Sequence, residues 1–249
     1  MPFPTLGLDN LYKDPENYFD GHDTESKKKA GLKLLREFEQ VLGKRGRYLD
    51  VGCGCGEWLW AAQTAGWDYE GVDPSSMYID LARRKLGVRG RAVTLEQAGF
   101  EDNSFDAISL SSLLEHLYDP YATLLEVSRV LRPGGLLWFD APNEDGLYMR
   151  AGNLYMKLKR RDWVVTLAPT FAPFHVQGFN PVSVRRLLDR VGLEIQELEV
   201  YGGMWPFSGQ QSLTKRIGYQ TARLVNWVGN HTGMGSYMNV RARKPGGMR

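Results

Sequence analysis

Cysteine is nearly absent from this chain of 249 residues: there are two, Cys53 and Cys55, and both fall in one short turn. They sit too close in sequence for an unstrained disulfide, and no further thiol exists to complete a zinc site. A disulfide scaffold and a cysteine metal cluster are thereby excluded, and the pair reads as small side chains filling a crowded turn. Reduced thiols fit a cytoplasmic setting, which is the expected localisation. Long apolar runs are missing too, none approaching the roughly 20 residues needed to span a bilayer. The start, Met1-Pro2-Phe3-Pro4-Thr5, lacks the charged-then-apolar order of a signal peptide. There is little excess of either charge, 31 basic against 29 acidic residues for a net +2, so no nucleic-acid partner is expected. Internal repeats and low-complexity tracts are also lacking. What is present, 43% hydrophobic and 24% charged residues, is the ordinary composition of a soluble globular domain with a sizeable core.

The most informative stretch is Tyr48-Leu49-Asp50-Val51-Gly52-Cys53-Gly54-Cys55-Gly56-Glu57-Trp58. It reads as a strand ending in a glycine turn that passes directly into a helix, so that a ligand can lie against bare backbone. Asp73 closes the next apolar run, where a carboxylate can accept hydrogen bonds from both hydroxyls of a ribose. A nucleoside-containing cofactor follows as the first hypothesis. The glycines at 52, 54 and 56 are spaced more tightly than the Gly-x-Gly-x-x-Gly of a dinucleotide site, and Asp50 and Glu57 make the turn more anionic than a pyrophosphate prefers.

Periodicity predicts an amphipathic helix from Ser26 to Leu42, with Leu34, Leu35, Phe38, Val41 and Leu42 inward and Lys27, Lys28 and Lys29 on a solvated face. Strand and helix signals then alternate: strand 47–51, helix 57–65, strand 68–73, helix 75–86, strands 91–95 and 105–110, helix 120–131, strand 135–140. Alternation of this kind implies a doubly wound α/β fold with ligands beyond the carboxyl ends of the strands. Residues 144–179 show no long periodic segment and read as a lid; a helix at 181–191 and strands at 193–200 and 237–242 follow. A second insertion, 202–235, holds a helix with Leu213, Ile217, Leu224 and Val228 on one face. The chain is thus expected to be a single domain: a helical cap (1–45), a cofactor-binding core (46–143), the lid (144–180) and a C-terminal part (181–249).

Taken together, these segments resemble the class I S-adenosylmethionine-dependent methyltransferases, in the broad group of ubiquinone-pathway O-methyltransferases and sugar or polysaccharide-cluster methyltransferases. The resemblance rests on Leu49 to Gly56, on Gly71-Val72-Asp73-Pro74-Ser75, on Ser104-Phe105-Asp106 leading to Leu114-Glu115-His116-Leu117-Tyr118-Asp119-Pro120, and on Val130-Leu131-Arg132-Pro133-Gly134-Gly135. A weaker echo runs through Pro173-Phe174-His175 and Gly178-Phe179-Asn180-Pro181 to about residue 200. It implies a Rossmann-like, seven-stranded, mostly parallel sheet with an antiparallel last strand and lid insertions. It also implies S-adenosylmethionine as cofactor and S-adenosylhomocysteine as product. Carried over by position, Gly52, Gly54 and Gly56 border the methionine part of the cofactor, Asp73 holds the ribose, and Leu95 and Glu96, after Thr94, flank the adenine, with Asp50, Cys53 and Pro74 as further cofactor-binding residues. Ser111 and Ser112 line the cleft near the sulfonium, and the position of His116 faces the cofactor pocket. Some ubiquinone-pathway relatives use a divalent metal near the Glu-His pair with a carboxylate three residues earlier. Ser112 stands there in this chain, so no metal ligand is assigned.

Methyl transfer needs alignment, exclusion of water and, for a hydroxyl acceptor, a base. Of the histidines His22, His116, His175 and His231, His175 sits in the lid and is the candidate catalytic base. Arg150, Lys157, Lys159, Arg160 and Arg161, with no acid between 150 and 161, suit a phosphate-bearing or lipid-linked saccharide as small-molecule acceptor. Tyr148, Tyr155, Trp163, Phe171, Phe174 and Phe179 could stack on a sugar. Lys215, Arg216 and Arg223 make the 202–235 helix a candidate for peripheral membrane contact. The leading expectation is O-methylation of a small molecule such as a sugar or glycan precursor. An NAD-dependent oxidoreductase and a non-catalytic cofactor-binding module are the alternatives, and the oligomeric state is left open.

Overall fold

The computed structural model describes residues 23–161, 164, 167, 175–202 and 213–246, without the side chains of 213–219, 221 and 222. Helix α1 (Thr24–Leu42) starts where the Asp23 side chain accepts the Ser26 amide and stops at left-handed Gly43. Its buried face, Leu34, Leu35 and Phe38, packs with Trp58, Ala61 and Ala62 of α2 (Glu57–Ala65) and with Trp138. Each such side chain contributes about 2 kcal/mol on burial. Val41, expected inward, is exposed. The expected solvated lysines are not all so: Lys28 lays its charged end over the Trp60 ring while pairing with Glu25, and Lys27 is half-buried.

Strands β1 (Arg47–Val51), β2 (Asp68–Val72), β3 (Phe105–Leu110) and β4 (Leu131–Pro142) are parallel neighbours, connected through α2, α3 (Ser76–Leu86) and α4 (Pro120–Val130). After α6 (Pro181–Arg190), β5 (Glu194–Tyr201) runs out to the edge, and β6 (Tyr237–Arg243) returns antiparallel between β4 and β5. The order is β2-β1-β3-β4-β6-β5. β3 is buried at every position because helices cover both faces, as continuous apolar strands in parallel sheets require. Residues on one face join the main cluster with Leu124, Val127 and Leu188; those on the other meet α1 and α2. Since β1 has neighbours on both sides reached by opposite crossovers, the crevice opens at its carboxyl end.

Six strands form among the described residues, not seven. Of 91–95 only Arg91 pairs, in a single bridge with Val72. Its amide donates to Gly71 O at 2.8 Å and its carbonyl accepts the Asp73 amide at 3.1 Å. Val93 N then turns back onto Arg91 O, and the Thr94 and Gln97 side chains accept each other's amides, so the chain curls before a ladder can extend.

The lid departs from expectation as well, for it contains helix α5 (Leu147–Leu158). Its periodicity is blurred because large apolar residues occupy both faces: Met149 is buried, while Leu154, Tyr155 and Leu158 are exposed. In α7 (Leu213–His231), Leu224 is exposed and Val228 half-buried. Leu213, Ile217, Lys215 and Arg216 belong to the side chains outside the description. No described helix is long and apolar enough to cross a membrane.

Candidate active site

The glycine turn is built from β1 outward. Gly52 N and Cys53 N both donate to Val72 O, Gly56 N donates to Cys53 O, and Gly54 N donates to Asp73 Oδ2 at 3.0 Å. Four amides are therefore consumed within the protein, leaving little of the amide nest a pyrophosphate would use. Gly56 has φ +84°, and a Cβ there would sit 2.8 Å from Val88 Cγ2. At Gly54 (φ +48°) nothing lies within 4 Å of that position, so the turn presents bare backbone to open space. Asp73 is fixed at both oxygens, Oδ1 accepting from Ser75 N at 2.9 Å; burial raises its pKa against these two amides.

Beneath the turn lies a network that sequence reasoning did not assign. The Ser109 hydroxyl donates to Asp50 Oδ1 at 2.5 Å and meets the Tyr48 hydroxyl. Asp50 is 1% exposed, and its Oδ2 has no hydrogen-bond partner among the described residues. Burial pushes the Asp50 carboxyl up to about 7, the Ser109 bond opposing and Glu57 and Asp73 adding. Glu57, 4% exposed, likewise leaves Oε1 unpartnered among the described residues. Two buried carboxylates with spare acceptor oxygens invite a cation. Ser109 was visible in the sequence as a hydroxyl between Ile108 and Leu110 in a largely apolar strand. Burial also raises both thiols, Cys55 to about 12, so they are inert packing groups.

Across the crevice, the segment following β3 places Ser111, Ser112 and a 3₁₀ turn, Leu114–His116, at the same edge. Ser112 adopts φ +47°, held by Asp140, whose carboxylate accepts its amide at 2.8 Å and its hydroxyl at 3.0 Å. The serine that stands in the place of a further carboxylate is thus tied to a carboxylate from β4. Glu115 is 2% exposed with Oε2 unpartnered among the described residues. Burial pushes its carboxyl up to about 8, with Asp140 adding. Tyr237, at the start of β6, is pushed up to about 12 by burial, with Glu115 and Asp140 adding.

His175 comes back over this turn. Val176 N and Gln177 N both donate to Glu115 O, at 2.8 and 3.1 Å, and the His175 ring stands edge-on to His116 at 5.0 Å. Glu115, His116 and His175 each offer a ligand atom, all within 4.8 Å of one another. A buried carboxylate oxygen in need of a partner beside two imidazoles fits a divalent cation. No spacing rule could have joined residues 115–116 to 175; only the echo after the lid hinted at it.

Leu95 is buried in the main cluster, and Glu96 is exposed, accepting from the Thr123 hydroxyl at 2.7 Å. Phe179 packs into the core, so it does not serve as a stacking surface, and His231 lies exposed on α7 against Trp227. Cys53 is buried against Leu59 and Ile79, and Pro74 begins the turn into α3. His22, Trp163, Phe171 and Phe174 are outside the described residues.

Comparisons with known proteins agree with this geometry. A family model described as a methyltransferase domain matches residues 22–198. Ubiquinone biosynthesis O-methyltransferases of Thiobacillus denitrificans and Aromatoleum aromaticum are 27% and 28% identical over 61% of this chain. The match spans 66% and 65% of their length, just short of two thirds. Among solved structures, a SAM-dependent methyltransferase from Archaeoglobus fulgidus is similar with a TM-score of 0.60 at 18% identity, covering 92% of this chain and 97% of that one. A geranyl diphosphate methyltransferase in complex with SAM gives 0.56 at 17% identity, covering 86% and 84%. The nicotinamide and non-catalytic alternatives are set aside accordingly: this chain belongs to the methyltransferase domain family and is a Rossmann-like enzyme that uses S-adenosylmethionine.

Proposed function

We propose that the methyl group passes to a hydroxyl oxygen of a small molecule, and that His175 receives the hydroxyl proton. The observation that carries this reading is the convergence of Glu115, His116 and His175 within 4.8 Å at the carboxyl edge that also bears the glycine turn and Asp73. A nitrogen acceptor that is already unprotonated needs no such group to attack; a neutral alcohol does. The acceptor oxygen attacks the methyl carbon, the carbon–sulfur bond breaks, and its electron pair stays on sulfur, giving S-adenosylhomocysteine. The proton goes to His175, with the buried Glu115 beside it as the neighbouring polar group.

A second reading shares the same three residues. Glu115, His116 and His175 would hold a divalent cation, which when bound would lower the pKa of the acceptor hydroxyl as a Lewis acid. Ser112 and Asp140 then position the near wall, and the Ser112 hydroxyl has Asp140 as its acceptor already.

Within the hydroxyl acceptors, a saccharide or a phosphate-bearing precursor is the favoured class. It is supported by the paired Tyr201 and Tyr237 rings, 6.0 Å apart beside Asp140, and by the basic residues of α5. The ubiquinone biosynthesis relatives make a phenolic acceptor the natural competitor. The test is methyl transfer from labelled cofactor to a panel of phenols, sugars, sugar phosphates and primary amines, with and without a chelator. Turnover of amines alone would sink the oxygen reading. Loss of turnover on chelation, restored by added magnesium or zinc, would select the cation over the free base.

A further inference from the structure

We propose that helices α5 and α7 form a surface that docks on an anionic lipid bilayer. The exposed face of α5 carries Ala151, Leu154, Tyr155 and Leu158 at helical spacing, with Leu154 58% and Leu158 74% exposed. Met149 and Met156 lie on the opposite, packed side. Solvent normally sees polar side chains on such a face, and an outward apolar stripe marks an interface. α7 packs against α5, Leu147 N donating to Met234 O and the Leu147 side chain meeting Gly229. It exposes Leu224 and Trp227, at 61% and 59%.

Charge selects the occupant. The residues beside the α5 stripe are Arg150 and Lys157 on one flank and Lys159 on the other, all exposed. Among the described residues the acid paired there is Asp145, on Arg150. In the sequence no acidic residue occurs from 146 to 161, and none at all from 200 to 249, although the whole chain is close to neutral. A stripe of leucine, tyrosine and tryptophan bordered by bases and free of acids is the pattern of a helix lying in the interface of an anionic membrane. A second copy of this chain would bring the same bases against each other. Both helices leave the carboxyl edge of the sheet, α5 following β4 and α7 preceding β6, so docking would bring the cleft mouth near the lipid surface. The surface stands whatever the acceptor is.

The test is sedimentation of the full chain with vesicles of phosphatidylcholine alone and of phosphatidylcholine mixed with phosphatidylglycerol. The expected result is binding several-fold stronger to the mixed vesicles, weakened but not abolished by salt. Exchanging Leu154 and Leu158 together for Glu, or Trp227→Glu, should lower that binding about tenfold or more, an estimate from the area such side chains would bury. Cofactor affinity and melting temperature, unchanged in these surface variants, would show that the fold is intact. No binding to mixed vesicles, or equal binding by the variants, overturns the proposal. Vesicle-free self-association lost in the same variants reassigns the surface to a homodimer and also overturns it.

Discussion

One buried carboxylate at the amino edge of the sheet and two at the carboxyl edge are held in opposite ways. At the amino edge Asp106, 7% exposed, accepts the Arg47 amide and the Arg132 guanidinium. Burial alone would raise its pKa, but these partners win and hold it below the ordinary carboxylate value. At the carboxyl edge Asp50 and Glu115, 1% and 2% exposed, keep an unpartnered oxygen among the described residues, and their deeper burial pushes them up to about 7 and about 8. A buried acid left unsatisfied is a candidate for binding something that arrives. On the proposed reading the same residue type serves stability in Asp106 and chemistry in Glu115.

That contrast can be broken most sharply at His175 and Glu115. His175→Ala and Glu115→Gln should each lower kcat by about a hundredfold to ten-thousandfold, with cofactor affinity nearly unchanged; a steady-state comparison at saturating cofactor reads it. Next comes Asp73→Ala, which should weaken S-adenosylmethionine binding about a hundredfold, the loss of two charge-assisted hydrogen bonds. Calorimetry measures this, and an unchanged affinity would remove Asp73 from the ribose site. At the other edge Asp106→Ala should cost about 2 kcal/mol of stability, because Arg132 is partly solvated, while leaving cofactor affinity alone. A denaturant series with a parallel binding measurement separates the two.

The smallest effect is one of pH. The folded pKa of Asp50 is about 7 against an ordinary 3.8, so between those values the folded state keeps a proton that the unfolded chain gives up. Stability of the cofactor-free chain should therefore fall as pH rises from about 4 to about 7 and then level, with Glu115 extending the fall to about 8. Asp106 acts in the opposite sense, its stabilisation lost only as pH drops through its lowered value. Melting temperatures of the native chain and of Asp50→Asn should converge at low pH and separate by a few degrees above neutrality, an estimate from the size of such linkage effects.

Legibility in the sequence followed the range of the interactions. β1, α2, β3 and the glycine turn are specified locally, by alternating apolar runs, Gly56 at the helix start and Pro120 at the first position of α4, and they form where the patterns say. Strand 91–95 failed because side-chain caps at Thr94 and Gln97 competed with the ladder. α5 was missed because its exposed face is apolar, which hides the one-sided period that marks a helix. In the site, Asp50 and Asp73 could be named from a contiguous motif. The Asp140 clamp on Ser112 and the meeting of His175 with Glu115 depend on contacts across the sheet edge, and no local pattern encodes them.

The grip on Asp73 has a thermodynamic consequence. With Gly54 N on one oxygen and Ser75 N on the other, the carboxylate is held in one orientation by the protein itself. A ribose docking on Asp73, as proposed, would meet a finished mould, and the ordering cost that a loose acceptor would charge against affinity would already have been met during folding.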